Sequence, residues 1–563
     1  SRGAGMIRTQ KSVLTTIVLG ALVVAGCGAK APSTATSGTQ TSGQTTTSSA
    51  DLLPTPVPTV PAATKSIGTI TWNLNFGEPL TMDTGKVVDY DDEFVLANLC
   101  EPLEELLPSG QVEPGLATSI DQTNPTTYVV HVRQGVKFWD GHTMTATDVA
   151  FSLDRQLNPS LGSYFMPLTL GAFKTATATG PYTVTIQLTR PNSVFERLLV
   201  TPLSMVVEKA FVQAKGSNYG SPQVGPMCTG PYEFVNWSPG QSITIKRNPN
   251  WWNAANQKLL TNEVKFVFIG DPNTSTEALL SGEVDGEFLV PAVALPKLQS
   301  SGGTLVEGPS TTLYTLTTTS LKGIGSNIKL RQAVAKLIDY AGVQSSQFLG
   351  TATVSRALAG PNTWGSAVPI YSKAYGELPT PTQDIAAAKQ LVQQSGLKNP
   401  VVTIATTPVS VGATELVNQM AQAGQQAGIT VVNKVLSVGQ FGALFTSASA
   451  RAKYVFMYQE ANADIPDPLE FYDQIALPTG GENYAGYTNP NVTNLLNKAN
   501  ATFNLNQRAT YTTQAQQLIT ADEPWIPVVA VYLTTYMDSK IGGVQAALPS
   551  DLYWPWLTGV GGR

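Results

Sequence analysis

Tyr128-Val129-Val130-His131-Val132-Arg133-Gln134-Gly135-Val136-Lys137-Phe138-Trp139-Asp140-Gly141 is the stretch that decides the fold. Val130 and Val132 flank His131 in a strand-like run, and Asp140-Gly141 is turn punctuation between strands. The segment runs on through Thr143-Met144-Thr145-Ala146-Thr147-Asp148-Val149-Ala150-Phe151-Ser152-Leu153. Outward from it, Thr183–Leu188 and Ser242–Lys246 alternate apolar and polar residues, the mark of strands with one buried face. Further on, helical spacing takes over. Leu330, Val334, Leu337 and Ile338 share one face, with Asn327 or Ser326 as N-cap. Leu416, Met420 and Ala423 form another stripe. Val492, Leu495, Leu496, Ala499 and Phe503 form a third, and Tyr511, Ala515, Leu518 and Ile519 a fourth. The chain is mixed α/β, strand-rich early and alternating later, with no solenoid repeat.

Composition narrows the function. Hydrophobic residues make up 42% and charged residues only 13%, against ~25% in average proteins. Net charge is -5 with no basic run, which argues against nucleic acid as a partner. The two histidines, His131 and His142, would have to serve any metal site or Ser-His-Asp triad, and no HExxH, CxxC, GxSxG or P-loop occurs. No catalytic residue, metal or cofactor is therefore expected. A pair of carboxylates acting on a glycoside or peptide remains the enzymatic alternative.

The N-terminal region reads as an export signal. Arg8 and Lys11 precede an apolar stretch from Val13 that ends Leu22-Val23-Val24-Ala25-Gly26-Cys27. About a dozen residues are too few to span a bilayer, which needs ~20. The Ala-Gly-Cys ending resembles the lipobox of bacterial lipoproteins, which implies lipidation at Cys27 and a protein held to the outer face of a membrane. Ser1 to Gly5 precede the first methionine and are set aside as extraneous. Residues 28–64, rich in Ser, Thr and Gly with Pro54, Pro56, Pro58 and Pro61 near the end, read as a disordered tether. The globular body follows, about 500 residues long, enough for two to four domains. It holds two cysteines, Cys100 and Cys228. An oxidising compartment permits their pairing, and only one connectivity exists, but they lie far apart in sequence.

Five blocks together resemble one family, the family 5 extracellular solute-binding proteins, which are the peptide- and nickel-type receptors of ABC importers. They are Pro79-Leu80-Thr81-Met82-Asp83; the stretch 128–153; Thr229-Gly230-Pro231-Tyr232-Glu233-Phe234 with Arg247-Asn248-Pro249-Asn250-Trp251-Trp252; Leu330-Arg331-Gln332-Ala333-Val334-Ala335 with Ile338-Asp339; and Asp467-Pro468 with Asn483-Tyr484-Ala485-Gly486-Tyr487. Most of these residues read physically as turns and fold-level contacts. The resemblance implies a two-lobe, type II clamshell with an inserted domain. Lobe one then takes 65–100, 198–305 and 525–563, the insert 101–197 and lobe two 306–524. It implies a receptor, expected to be a monomer, that closes on a small ligand and delivers it unchanged to an ABC permease. Cys228 stands where the family carries glycine, and with Cys100 this departure implies a disulfide.

The same resemblance points to a binding site. In peptide receptors of the family an aspartate neutralises the peptide's amino group, and Glu460-Ala461-Asn462-Ala463-Asp464-Ile465-Pro466-Asp467-Pro468 puts Asp464 at that position. Ala461 replaces the family's tryptophan and Glu460 its glycine, so a second acid stands near the cleft. Asn462, Ala463, Thr81, Met82, Trp364 and Tyr487 complete the expected ligand contacts. Oligosaccharide is the alternative ligand, with Trp72, Trp364, Trp525, Trp554 and Trp556 as stacking platforms.

Overall fold

A computed structural model of the chain describes residues 54–563. Cys27, the export signal and the tether as far as residue 53 lie outside the described residues. Three sheets organise the rest. The first has seven strands in the order Thr304–Gly308, Leu533–Met537, Gly286–Phe288, Ile67–Asn73, Thr261–Val267, Ser242–Arg247, Tyr232–Ser238. Ile67–Asn73 sits at its centre, parallel to both neighbours. Its Trp72 is wholly buried, with ring centroids 4.8 Å from both Phe288 and Trp556. Ser242–Arg247 behaves as its alternation predicts: Ile243 and Ile245 are fully buried between more open neighbours.

The second sheet has six strands in the order Ala352–Val354, Trp525–Val531, Thr312–Thr318, Phe456–Asn462, Val401–Thr406, Thr430–Val435. The helix Ala413–Ala427 covers it through Leu416, Val417, Met420 and Ala423. Burial of each of Leu416, Val417 and Met420 is worth roughly 1.5–3 kcal/mol. The helix expected around 330–338 is Ile328–Ala335, capped by the Asn327 side chain, which accepts from the Leu330 N–H at 3.2 Å. Leu337 and Ile338 are buried but fall beyond its end, because Asp339 caps a new turn at Gly342. Phe503 likewise lies in the turn between Pro490–Asn500 and Leu505–Asp522.

The opening stretch builds a third, four-stranded sheet, ordered Ala117–Asn124, Thr127–Val132, Thr183–Leu188, Phe173–Gly180. Tyr128, Val130, Val132, Val136 and Phe138 fill its core against the helix Ala146–Asp154. The other blocks are structural too. Trp251 and Trp252 both donate their indole N–H to Glu101 at 2.9 Å. Arg331 donates to the backbone carbonyls of Gly325, Asp522 and Glu523, tying one helix start to another helix end. Gly230 passes so close to Leu99 that a Cβ there would meet its carbonyl oxygen at 2.3 Å. Beside it Cys100 and Cys228 are joined by a disulfide, Cα to Cα 5.0 Å.

Two strands pair across the expected bounds. Thr304–Gly308 pairs with Leu533–Met537 in the first sheet, and Trp525–Val531 pairs with Thr312–Thr318 in the second. Strand pairing thus puts 306–308 in the first sheet and 525–531 in the second. Among the described residues, the chain passes directly between a strand of the first sheet and a strand of the second through 309–311 and through Tyr532. The crossings run side by side, since Gly308 opposes Leu533 and Leu313 opposes Ala530. The end of the expected tether is also ordered. The Thr55 N–H donates to Asn362 Oδ1 at 2.7 Å, Pro61 accepts from the Gly543 N–H at 2.8 Å, and Val60 packs on the core. Proline restricts this segment in advance, so little entropy is lost when it lies down.

Candidate functional site

The site grows from the helix Tyr90–Leu96, whose first turn carries the acidic run Asp89-Tyr90-Asp91-Asp92-Glu93. Asp89 caps the helix, and acids in a first turn suit the positive end of its dipole. Tyr90 and Glu93, one turn apart, point to the other lobe. There the strand Phe456–Asn462 ends and the helix Pro468–Ala476 begins. Tyr90 Oη lies 3.2 Å from both Glu460 Oε1 and Asn462 Oδ1, so one hydroxyl touches two acceptors of the second lobe. Tyr164, from the insert, donates to Asp464 Oδ2 at 3.3 Å. The Asp464 N–H donates to Glu470 Oε2 at 3.2 Å.

Four acids meet here: Glu93, Asp464, Glu470 and Glu482. Burial is the main cause that pushes Glu93 far above the usual carboxylate range, and Asp464 across the lobe boundary is the next. Burial raises Glu470 strongly, and Asp464 and Glu482 add to it. Glu482 is pushed up to about 8 by burial and by Asp464. Burial also raises Asp464, against the hydrogen bond from Tyr164. Among the described residues none of these four forms an ion pair with a lysine or arginine. The nearby Arg451 stands 5.3 Å over the Tyr484 ring and donates to the Leu444 carbonyl. Glu460 is also raised by burial, countered by Tyr314 and Tyr90.

Of the expected contacts, Asp464, Asn462 and Glu460 gather at this junction, and the Ala463 carbonyl beside them accepts from Thr311. The others do not join it. Trp364 is 3% exposed, packed against Tyr371 and Tyr375 in a small core of its own. Tyr487 donates to Asp522 at 2.6 Å, fastening two elements of one lobe. Met82 is fully buried in the main core, and Thr81 accepts from the Asp83 N–H. Asp83 itself forms a two-pronged ion pair with Arg155, at 2.7 and 2.9 Å. Trp72, Trp525 and Trp556 are core residues with no free face, and Trp554 is packed against that core. Glu93, Glu470, Glu482, Tyr90 and Tyr164 escaped the sequence reading. The acidic run at 89–93, in a chain so poor in charge, was the one available signal. A cavity of about 250 Å³ lies at the crossings, lined by Thr312, Asn362 and Tyr532 among others, and none of the acids lines it.

The trio Asp140, His142 and Glu208 is the one cluster among the described residues whose ligand atoms lie close enough for a metal. Among the described residues no helix is long and apolar enough to cross a membrane.

Comparison with known proteins places these features. The glutathione-binding protein GsiB of Escherichia coli strain K12 is 26% identical over 429 residues, 74% of this chain and 80% of that protein. The periplasmic binding protein DppA from Helicobacter pylori, solved in complex with the peptide STSA, superposes with a TM-score of 0.76 at 20% identity, over 88% of this chain and 98% of that one. NikA from Staphylococcus aureus, solved with Ni(L-His)2, superposes at 0.72 with 18% identity, over 86% and 97%. The mixed α/β architecture is thus that of type II periplasmic binding proteins. The family model of the bacterial extracellular solute-binding proteins, family 5, matches residues 111–483, two thirds of the chain, and the chain belongs to that family.

Proposed function

We propose that this chain is the receptor of an ABC importer that captures peptides by lobe closure and hands them, chemically intact, to a membrane permease. The observation that carries this reading is Asp464: it is 5% exposed, has no cationic partner among the described residues and faces Glu93. A buried carboxylate without a counter-charge is costly, and a ligand ammonium removes the cost while touching both lobes. Binding of that kind favours the closed form and shifts the population toward it. The nearby end of the strand Phe456–Asn462 offers backbone groups for an extended peptide. Relatives and fold neighbours bind glutathione, a peptide or a nickel complex, so the fold leaves the ligand open. Oligosaccharide fits less well, because four of the five candidate tryptophans are buried in the core. The receptor acts as a monomer outside the cytoplasm, held by lipid at Cys27.

Titration calorimetry with a free-amine peptide and its N-acetylated twin tests the site. Wild type binds the free amine at least tenfold tighter, and Asp464→Asn brings the two together. Equal loss of both peptides in Asp464→Asn removes Asp464 from the amine role. Mass spectrometry of recovered ligand distinguishes a receptor from a hydrolase: cleaved peptide ends the non-enzymatic reading. Loss of membrane retention in Cys27→Ala checks the anchor.

A further inference from the structure

Asp140, His142 and Glu208 converge outside the acidic junction, and nothing in the receptor reading uses them. A tight turn sets two of the three. The Gly141 N–H donates to the Phe138 carbonyl and the Phe138 N–H to the His142 carbonyl, both at 2.9 Å, so 138–142 closes on itself. The His142 N–H donates to Asp140 Oδ1 at 3.0 Å, which leaves the other carboxylate oxygen for the imidazole. His142 Nδ1 then lies 2.8 Å from Asp140 Oδ2 and 2.9 Å from Glu208 Oε1. Two carboxylates thus aim at one ring nitrogen, which has at most one proton to give. The three ligand atoms all fall within 4.8 Å of one another. A tetrahedral zinc, with bonds of about 2.0–2.2 Å, holds such atoms about 3.4 Å apart, so small shifts admit an ion.

Glu208 adds a second observation. It is 5% exposed, and its Oε2 is buried with no hydrogen-bond partner among the described residues. It precedes the helix Lys209–Lys215 without capping it, and among the described residues His142 is its one ion-pair partner. A buried carboxylate oxygen left without a donor is costly, and a cation removes that cost. The His142 side chain is 73% exposed, so an ion can enter from solvent and water can complete its coordination.

We propose that Asp140, His142 and Glu208 bind one zinc ion, a clasp between the 138–142 turn and the chain entering the helix Lys209–Lys215. One imidazole and two carboxylates suit zinc better than calcium or magnesium, which take oxygen ligands. The two acids balance the charge of the ion, and Glu208 Oε2 gains the partner it lacks. No spacing in the sequence signals the clasp, because Glu208 comes far along the chain from the turn. The clasp stands whatever ligand the receptor captures.

Zinc chloride titrated into untagged, EDTA-dialysed protein tests it, by calorimetry and by elemental analysis after gel filtration. One ion per chain is expected, with a melting temperature several degrees higher in excess zinc. His142→Ala and Glu208→Gln should each weaken binding by roughly tenfold or more and abolish the thermal shift. His131→Ala, at the histidine that pairs with Asp121, should leave both unchanged. Melting of the metal-free variants shows that they fold, and the exposed His142 can be replaced without opening the core. Absence of zinc binding, or zinc binding about equal in wild type and both variants, overturns the clasp and leaves the trio an ion pair. Magnesium binding as tight as zinc also overturns it, since the imidazole is then no ligand.

Discussion

Asp464 and Asp467 are three residues apart, equally buried, and opposite in circumstance. Asp467 accepts from Arg508 at 2.6 Å, and Arg197 of the insert lies 3.5 Å away. Arg508 also donates to the Ser193 carbonyl at 2.8 Å. That acid is finished: the chain supplies its cations, and the contacts tie Ser193 and Arg197 to Asp467 and Arg508. Asp464 has a tyrosine hydroxyl and three other acids. Asp83, gripped by Arg155, belongs with Asp467. The contrast separates carboxylates that the chain pairs with its own cations from carboxylates that, among the described residues, it leaves without one.

The largest effect expected follows from breaking a finished pair. Arg508→Ala leaves Asp467 buried without its closest cation and should cost about 3–5 kcal/mol in urea unfolding. Arg155→Ala does the same to Asp83 at a slightly more open place and should cost about 2–3 kcal/mol. Asp464→Asn should move the other way. Removing one of four crowded acids, a carboxyl that burial raises from an ordinary 3.8 to about 7, should stabilise the ligand-free protein near neutral pH. A loss like that of Arg508→Ala would erase the distinction between the two regions.

The smallest effect is in pH. The acids of the site are raised in the folded state, so folding takes up protons. Their contribution is greatest below the ordinary carboxylate range and is lost as pH rises through about 8, where Glu482 titrates. The melting temperature of ligand-free protein should therefore rise by a few degrees from pH 8 to pH 5. Asp89, Asp92, Asp467 and Asp473 also act on these acids, so the slope should flatten, not vanish, in Glu482→Gln. A melting temperature that falls steadily from pH 8 to pH 5 would mean that these acids are ionised and satisfied.

What the sequence disclosed depends on how local the cause was. Asp140-Gly141, the 243/245 alternation and the 416/420/423 stripe are set by neighbours within a few residues, and all stand where expected. Asp464 was reachable by its place in a block. Glu93 was not, because its partner is more than 350 residues away and only packing joins them. Trp364 misled for the same reason: a tryptophan's residue type is the same on a platform and in a core, and Tyr371 and Tyr375 decide which it is. That Trp525–Val531 joins the second sheet while Leu533–Met537 joins the first left no trace in composition, because the link at Tyr532 is a single residue.

Those crossings carry a mechanical consequence. Two adjacent links, one of three residues and one of a single residue, join the first sheet to the second, and short paired links of this kind suit a hinge. Gly308 begins one of them, and a Cβ there would strike the Ala546 carbonyl, so the axle is fixed against its own lobe. A swing of about 10° on an arm of roughly 30 Å, the span of a small domain, carries its tip about 5 Å. Anything gripping both outer rims thus registers occupancy as a displacement, blind to which cargo produced it.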